Sequence, residues 1–378
     1  MHRFVWLALA SLALFLSAAL FGCGGGRPEP ADAGVDAPAD AAIGVDASAT
    51  CPASLLACAY PPRGLDQGEV TGLTSTNDAI GRTVPLLVRY PTAPGRYPVV
   101  FFEHGGGLRP DGHTDSVAWG RVITSHGYVV VHVGHVETGG RPEAQALCAL
   151  GGVTDAECLA DPAIIHTVAR PVDLLAAFED LPAIAAAVAA ANPGTEAGTD
   201  RVGLVGWSGG THGTITVFGA SRQLSPTTTF TRAGDRPLVA VLLSPAGSGF
   251  HHFFRDAGGH SWEGLRGPTL MVTGINDVKP EEPLLTGPVR REPFDLAPAD
   301  GTHRLLYSHL PVGVGAHGTY NLGDSMSSDP RLIRLSGAMV SLTLAHLDAY
   351  LEDDTEAAAY LDSEDALLLA GDAEYLRR

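Results

Sequence analysis

The polar and apolar positions of the chain fall into two regimes. Up to about residue 60 they show no period that could build a core, and beyond it short apolar runs alternate with helical spacing. The runs "RTVPLLVRY" (82–90), "PVVFFE" (98–103) and "YVVVHV" (128–133) are rich in β-branched and aromatic residues and predict strands. Segments 201–205, 238–243, 269–273 and 304–308 read the same way. "TSTNDAIG" supplies a hairpin turn before the first of these strands. Helices are expected at Ser116–His126, stopped by Gly127, at Pro171–Ala191, stopped by Asn192-Pro193-Gly194, and at Thr211–Ser221. A long helix follows near Leu332–Leu351, and the chain closes in a polar tail with a second short helical segment. Apolar strands alternating with helices imply a mostly parallel sheet covered on both faces. In such a sheet reactive side chains lie on loops at the carboxyl ends of the strands.

Four such strand ends carry residues that together suit acyl transfer. Gly206-Trp207-Ser208-Gly209-Gly210 fits G-x-S-x-G between an expected strand and an expected helix. The glycines allow a tight turn that leaves Ser208 at a helix N-terminus, where developing negative charge is favoured. Glu103-His104-Gly105-Gly106-Gly107 follows an earlier strand, and its backbone could approach a substrate carbonyl closely. An oxyanion needs amides already aimed at it. Gly209 and Gly106 are the expected donors, with Gly105 as the alternative to Gly106.

A serine hydroxyl also needs a base and an orienting carboxylate. Of 15 histidines, His317 stands in the glycine loop "GVGAHGT" after the last expected strand. Asp277 in "MVTGINDV" follows a strand and a Gly274 turn. Asp300 and Asp324 are nearer His317 in sequence but do not follow a strand end. The order Ser208, Asp277, His317 matches a strand–turn–helix nucleophile fold.

Other candidates have two readings each. His212 reads as a structural histidine or a second base, and Trp207 as a pocket wall or packing beneath the turn. His251, His252 and His260 in "FHHFFRDAGGHSW" read as a partly apolar pocket wall, a metal site or unremarkable surface. Residues 134–169 are too long for a simple connection and form either a pinned wall or lid, or a surface excursion.

Composition narrows the setting. The 378 residues carry 42 acidic against 24 basic side chains, a formal charge of −18, which argues against nucleic acid as a partner. Lys279 is the single lysine. Residues 1–22 resemble a bacterial lipoprotein signal: Arg3 precedes the apolar run Phe4–Phe21, and Gly22-Cys23 ends it. Cys23 would then be lipidated and hold the protein to a membrane of the cell envelope. Simple secretion or an uncleaved anchor are the alternatives, and all three place the chain outside the cytoplasm. Residues 23–50, rich in Ala, Asp, Pro and Gly, read as a disordered tether. Residues 51–378 read as one domain, with a core of about 65–352. Cys51, Cys58, Cys148 and Cys158 are an even set in an exported chain, and closeness in sequence favours the pairs 51–58 and 148–158.

Taken together, "RTVPLLVRYP", "FFEHGGG", "SHGYVVVHVGH", "RPVDLLAAFEDL", "DRVGLVGWSGG", "GINDV" and "GAHGTY" resemble the serine α/β-hydrolases. The branch they look most like is the dienelactone hydrolase and platelet-activating-factor acetylhydrolase-like group, which is also similar to bacterial polyester hydrolases and chlorophyllases. The resemblance implies an α/β-hydrolase fold with an eight-stranded, mostly parallel sheet. It implies ester hydrolysis through an acyl-serine, with Ser208 as nucleophile, His317 as base and Asp277 as its partner, and it requires no metal or organic cofactor. The chain departs from dienelactone hydrolases proper, whose nucleophile is cysteine. A peptidase or amidase of the same fold, and a non-catalytic surface binding protein, are the rival readings.

Overall fold

Strand and helix alternate through most of the chain because the apolar runs are too short for helices and are separated by glycine and proline. The computed structural model describes residues 58–254, 260–279, 281–311, 314–323 and 328–378. The expected leader with Cys23, the tether, Cys51 and Asp324 lie outside those residues. Cys58 is disulfide-bonded, and its expected partner is the undescribed Cys51.

The first half runs β1 (Gln67–Asn77), β2 (Arg82–Pro91), β3 (Gly95–Glu103), α1 (Val117–His126) and β4 (Val129–Val133). It continues through α2 (Arg141–Leu150), α3 (Asp155–Ala160), α4 (Ala163–Glu179), α5 (Leu181–Ala191), β5 (Thr195–Trp207) and α6 (Gly210–Val217). After it come a hairpin of β6 (Arg222–Ser225) and β7 (Thr228–Phe230), then β8 (Pro237–Leu243), β9 (Thr269–Gly274), α7 (Gly287–Asp295) and β10 (His303–Ser308). Last are α8 (Pro330–Leu351), α9 (Thr355–Leu361), α10 (Glu364–Ala370) and β11 (Glu374–Arg377).

The main sheet has nine strands in the order β1-β2-β4-β3-β5-β8-β9-β10-β11. Its centre, from β4 to β10, is parallel, whereas β1, β2 and β11 pair antiparallel at the two edges. This corrects the expectation of an eight-stranded, mostly parallel sheet. β1 escapes the hydrophobic pattern because an exposed edge strand buries little: of its eleven residues only Ser75 is fully covered. "TST" therefore belongs to the strand, and the turn is confined to residues 78–81. β11 is four residues of the polar tail that close on β10.

Period-two alternation divides the core between the two faces. Val99 and Phe101 of β3, with Ala240 and Leu242 of β8, pack under α4, α5, α6 and α7. Val100 and Phe102, with Val239, Val241 and Leu243, pack under α1, α8, α9 and α10. The single helix expected at 171–191 is two, bent by 59° at Asp180. Pro182 in the first turn of α5 lacks the amide needed to continue α4, while Pro171 is accommodated inside α4. Residues 134–169 build a third small cluster, in which Leu147, Cys148, Cys158 and Ile164 pack against Leu224 and Phe230 of the hairpin. The Cys148–Cys158 bridge is present, and a loop that short contributes roughly 2–3 kcal/mol.

Two imidazoles sit in this core without becoming charged. Burial, then Arg89, holds His132 down to about 3, and burial, then Arg304, does the same to His346. In the unfolded chain both titrate near the usual histidine value, about 6.5. The unfolded state therefore binds more protons below that pH, and stability falls as pH drops from about 6.5 toward 3. The slope is up to about 1.4 kcal/mol per pH unit for each histidine. Melting temperatures measured between pH 7.5 and 5 should decline through this range, and His132→Asn should flatten the decline. A melting temperature independent of pH there would contradict the assignment.

Candidate active site

β5 delivers Ser208 to the carboxyl edge of the sheet, next to the strand β3 at which the strand order reverses. The turn is sharp: Ser208 has φ +50, a left-handed conformation that costs a non-glycine residue roughly 1–2 kcal/mol. Its neighbours explain why the turn holds. A Cβ on Gly210 would stand 2.1 Å from the Glu103 carbonyl oxygen, and one on Gly209 would stand 2.2 Å from that of Gly106. On Gly206 it would meet the Gly210 backbone at 2.8 Å. The Ser208 amide donates to Leu243 O at 2.8 Å, and its carbonyl accepts from the Thr211 amide and hydroxyl.

His317 opens a short 3-10 turn after β10, and Asp277 closes the turn after β9. The structure brings both to Ser208. His317 Nε2 lies 2.6 Å from Ser208 Oγ, and Nδ1 lies 2.7 Å from Asp277 Oδ1. A carboxylate only accepts, so Nδ1 carries the hydrogen and the Nε2 lone pair faces the serine hydroxyl. Asp277 is fully buried and well held: Oδ2 accepts from Thr273 Oγ1 at 2.8 Å, and Arg290 Nε lies 3.4 Å from Oδ1. Asp300 instead accepts from its own neighbour Thr302.

A residue that the sequence did not single out joins them. Ser244, just beyond β8, is buried with φ +59, and its Oγ lies 2.9 Å from His317 Nδ1. The Nδ1 hydrogen thus has two acceptors, which fixes both the tautomer and the ring plane. In the sequence Ser244 is marked by nothing more than a polar residue directly after an apolar strand.

The glycine turn after β3 completes the arrangement. A Cβ on Gly105 would be 2.3 Å from the Trp207 ring, so Gly105 is the packing glycine. Gly106 has φ +77 and open space at its Cβ position. Its carbonyl accepts from Arg170 Nη2 at 2.7 Å, and the same guanidinium donates to the carbonyls of His104 at 3.0 Å and Gly107 at 3.2 Å. Among the described residues no acceptor meets the Gly106 or Gly209 amide. Arg170 is buried in α4, and burial lowers it only to about 10, so it stays charged. Below the turn, Glu103 accepts from Thr214 Oγ1, and His135 lies 3.0 Å from Glu103 and 2.9 Å from Asp173. Arg82 closes this buried network on Asp173.

A cavity of about 170 Å³ opens beside the serine, with Gly106, Gly209, His212, Ala246 and Leu285 in its wall. His166, from residues 134–169, also lines it, so that segment contributes to the wall. Trp207 packs on Gly105 and, at 5.5 Å between ring centres, on His317. His212 lies against His251, with ring centres 3.7 Å apart and planes tilted by 43°, and burial keeps both imidazoles below their usual value. His252 and His260 turn to separate partners, Asp161 at 3.7 Å and Glu263 at 2.7 Å. No group of three or more His, Cys, Asp or Glu among the described residues is arranged to hold a metal ion.

Four substitutions at three positions rank the supporting residues. Asp277→Asn presents the wrong hydrogen-bonding face to Nδ1 and should cost about 10⁴ in kcat. Ser244→Ala leaves Asp277 in place and should cost about tenfold or less. Arg170→Met removes the brace of the glycine turn, with an expected loss of about 10² in kcat at little change in KM, comparable to losing one oxyanion donor. Arg170→Lys should not restore it, because one ammonium cannot span three carbonyls. A lower melting temperature with kcat intact in the folded fraction would reduce Arg170 to a structural role.

Compared with known proteins, the chain matches no family model and no curated sequence.

Proposed function

We propose that the protein is a serine hydrolase of the α/β-hydrolase fold that cleaves carboxylic esters through an acyl-serine. The observation that carries this reading is the continuous relay from Ser208 Oγ through His317 to buried Asp277, at 2.6 and 2.7 Å. His317 Nε2 takes the hydroxyl proton as Ser208 Oγ attacks the ester carbonyl, and Asp277 stabilises the imidazolium that forms. The amides of Gly209 and Gly106, which meet no internal acceptor among the described residues, would receive the oxyanion. His317 then protonates the leaving alcohol. A water molecule deprotonated by the same imidazole releases the acid and restores the serine. The chemistry needs no cofactor.

The antiparallel edges and the added β11 are compatible with an α/β-hydrolase sheet extended by one strand, and the parallel centre from β4 to β10 supports that reading. The dienelactone hydrolase-like branch rests on the motif resemblance alone. Export with a lipid anchor at Cys23 rests on the leader sequence, and the Cys148–Cys158 bridge supports an oxidising compartment.

Full-length protein and Ser208→Ala should be compared on p-nitrophenyl acetate, butyrate and octanoate. The wild type should turn over the two short esters, and the variant should fall by about 10⁶ or to background. A fluorophosphonate should label Ser208 in the wild type and nothing in the variant. A folded wild type that neither hydrolyses esters nor takes the label would refute the proposal in favour of a binding protein.

A further inference from the structure

The wall of the cavity opposite the glycine turn carries more positive charge than the composition leads one to expect. In a chain with net charge −18, the single lysine, Lys279, lines the hollow beside Ser208, and so does Arg290. Among the described residues one carboxylate, Glu282, shares this wall. It stands 3.5 Å from Lys279 Nζ and 4.0 Å from Arg290 Nη2, so it satisfies neither closely.

Arg290 is the sharper observation. Its Nε donates to the Asp277 carbonyl at 2.8 Å, and its Nη1 to the carbonyls of Ser244 and Pro245. Nη2 is buried and has no hydrogen-bond partner among the described residues, although the side chain is only 2% exposed. A buried guanidinium nitrogen left without an acceptor is costly, and such groups normally have one. The neighbouring imidazoles register the same field. After burial itself, Lys279 is among the charges that keep His212 and His251 below their usual value. Both rings therefore stay neutral.

Building on the ester-hydrolase reading, we infer that the preferred substrates are short esters whose acyl group ends in a carboxylate, received by Arg290 Nη2 and Lys279 Nζ. The cavity of about 170 Å³ has room for a short acyl chain with its terminal group. A carboxylate supplies the missing acceptor, and charge-assisted hydrogen bonds are about twice as strong as neutral ones. The chemistry at the ester is unchanged. The Ser208 Oγ–carbonyl bond forms, the carbonyl–alkoxy bond breaks, and the serine proton passes through His317 to the alcohol. Water then releases a dicarboxylate.

Ethyl hydrogen succinate and ethyl succinamate have nearly the same shape and differ in the charge of the terminal group. Full-length protein at pH 7.5 should give a kcat/KM at least about tenfold higher for the anionic ester. Lys279→Met should reduce that ratio by about tenfold, and raising salt from low ionic strength to 0.5 M should compress it. Equal or better turnover of the amide-terminated ester would overturn the inference while leaving the hydrolase reading standing, as would a ratio untouched by Lys279→Met. Failure on both esters, with Ser208 still labelled by a fluorophosphonate, would also overturn it alone. Failure on both without labelling would remove the hydrolase reading and this inference together.

Discussion

Two backbone segments touch where most folds would place side chains, and the site depends on that contact. The turn after β5 lies directly on the turn after β3, with Gly209 against Gly106 and Gly210 against Glu103. Any side chain at Gly209 or Gly210 would have to displace main-chain atoms about 2 Å away. The same contact keeps Ser208 in its left-handed conformation, because the chain on either side has no space to relax. Strain at one residue is thus maintained by packing of its neighbours. The outcome is a hydroxyl held at the edge of the sheet within reach of His317, and two glycine amides drawn close together.

The parallel centre of the sheet accounts for the convergence. β3, β5, β8, β9 and β10 run in one direction, so their carboxyl ends deliver the glycine turn, Ser208, Ser244, Asp277 and the loop with His317 to one rim. Residues up to 109 positions apart in sequence become hydrogen-bonding partners without long or knotted connections. The antiparallel strands lie toward the edges, and β2 sends Arg82, from its first position, to the network beneath the glycine turn.

What could be read from the sequence follows from the same geometry. Central strands are buried on both faces, so they appear as apolar runs, and each residue of the candidate site follows such a run, Ser208 directly and His317 nine positions after it. Ser208, Asp277, His317 and the glycine turn were legible for that reason. β1 and β11 were not, because edge strands bury few side chains and leave no hydrophobic signature. Ser244 was passed over because serine is an ordinary residue at a strand end, and only its distance to Nδ1 distinguishes it. Arg170 and Arg290 lie outside the helices read from the sequence, one directly before Pro171 and the other in α7, and nothing in the sequence marks the loop carbonyls toward which they reach.

Those arginines address a problem that the topology creates. Loops gathered at one rim have carbonyl groups that no strand or helix can pair, and water cannot pair them where they are buried. Arg170 meets the carbonyls of His104, Gly106 and Gly107, and Arg290 meets those of Ser244, Pro245 and Asp277. Arg222 meets those of His212 and His251, with its guanidinium 3.6 Å above the Phe253 ring. Three stretches around the serine are thus each held by one planar group with several fixed donors, which a lysine cannot imitate. Burying these charges opposes folding, and carbonyl acceptors offset only part of that cost. Glu103 and Asp173 near Arg170, and Asp277 near Arg290, offset more of it. The arrangement makes sense if the stability lost is exchanged for loops that do not move relative to Ser208. Acyl transfer requires this, since amides aimed at an oxyanion act only when their orientation is set before the charge appears.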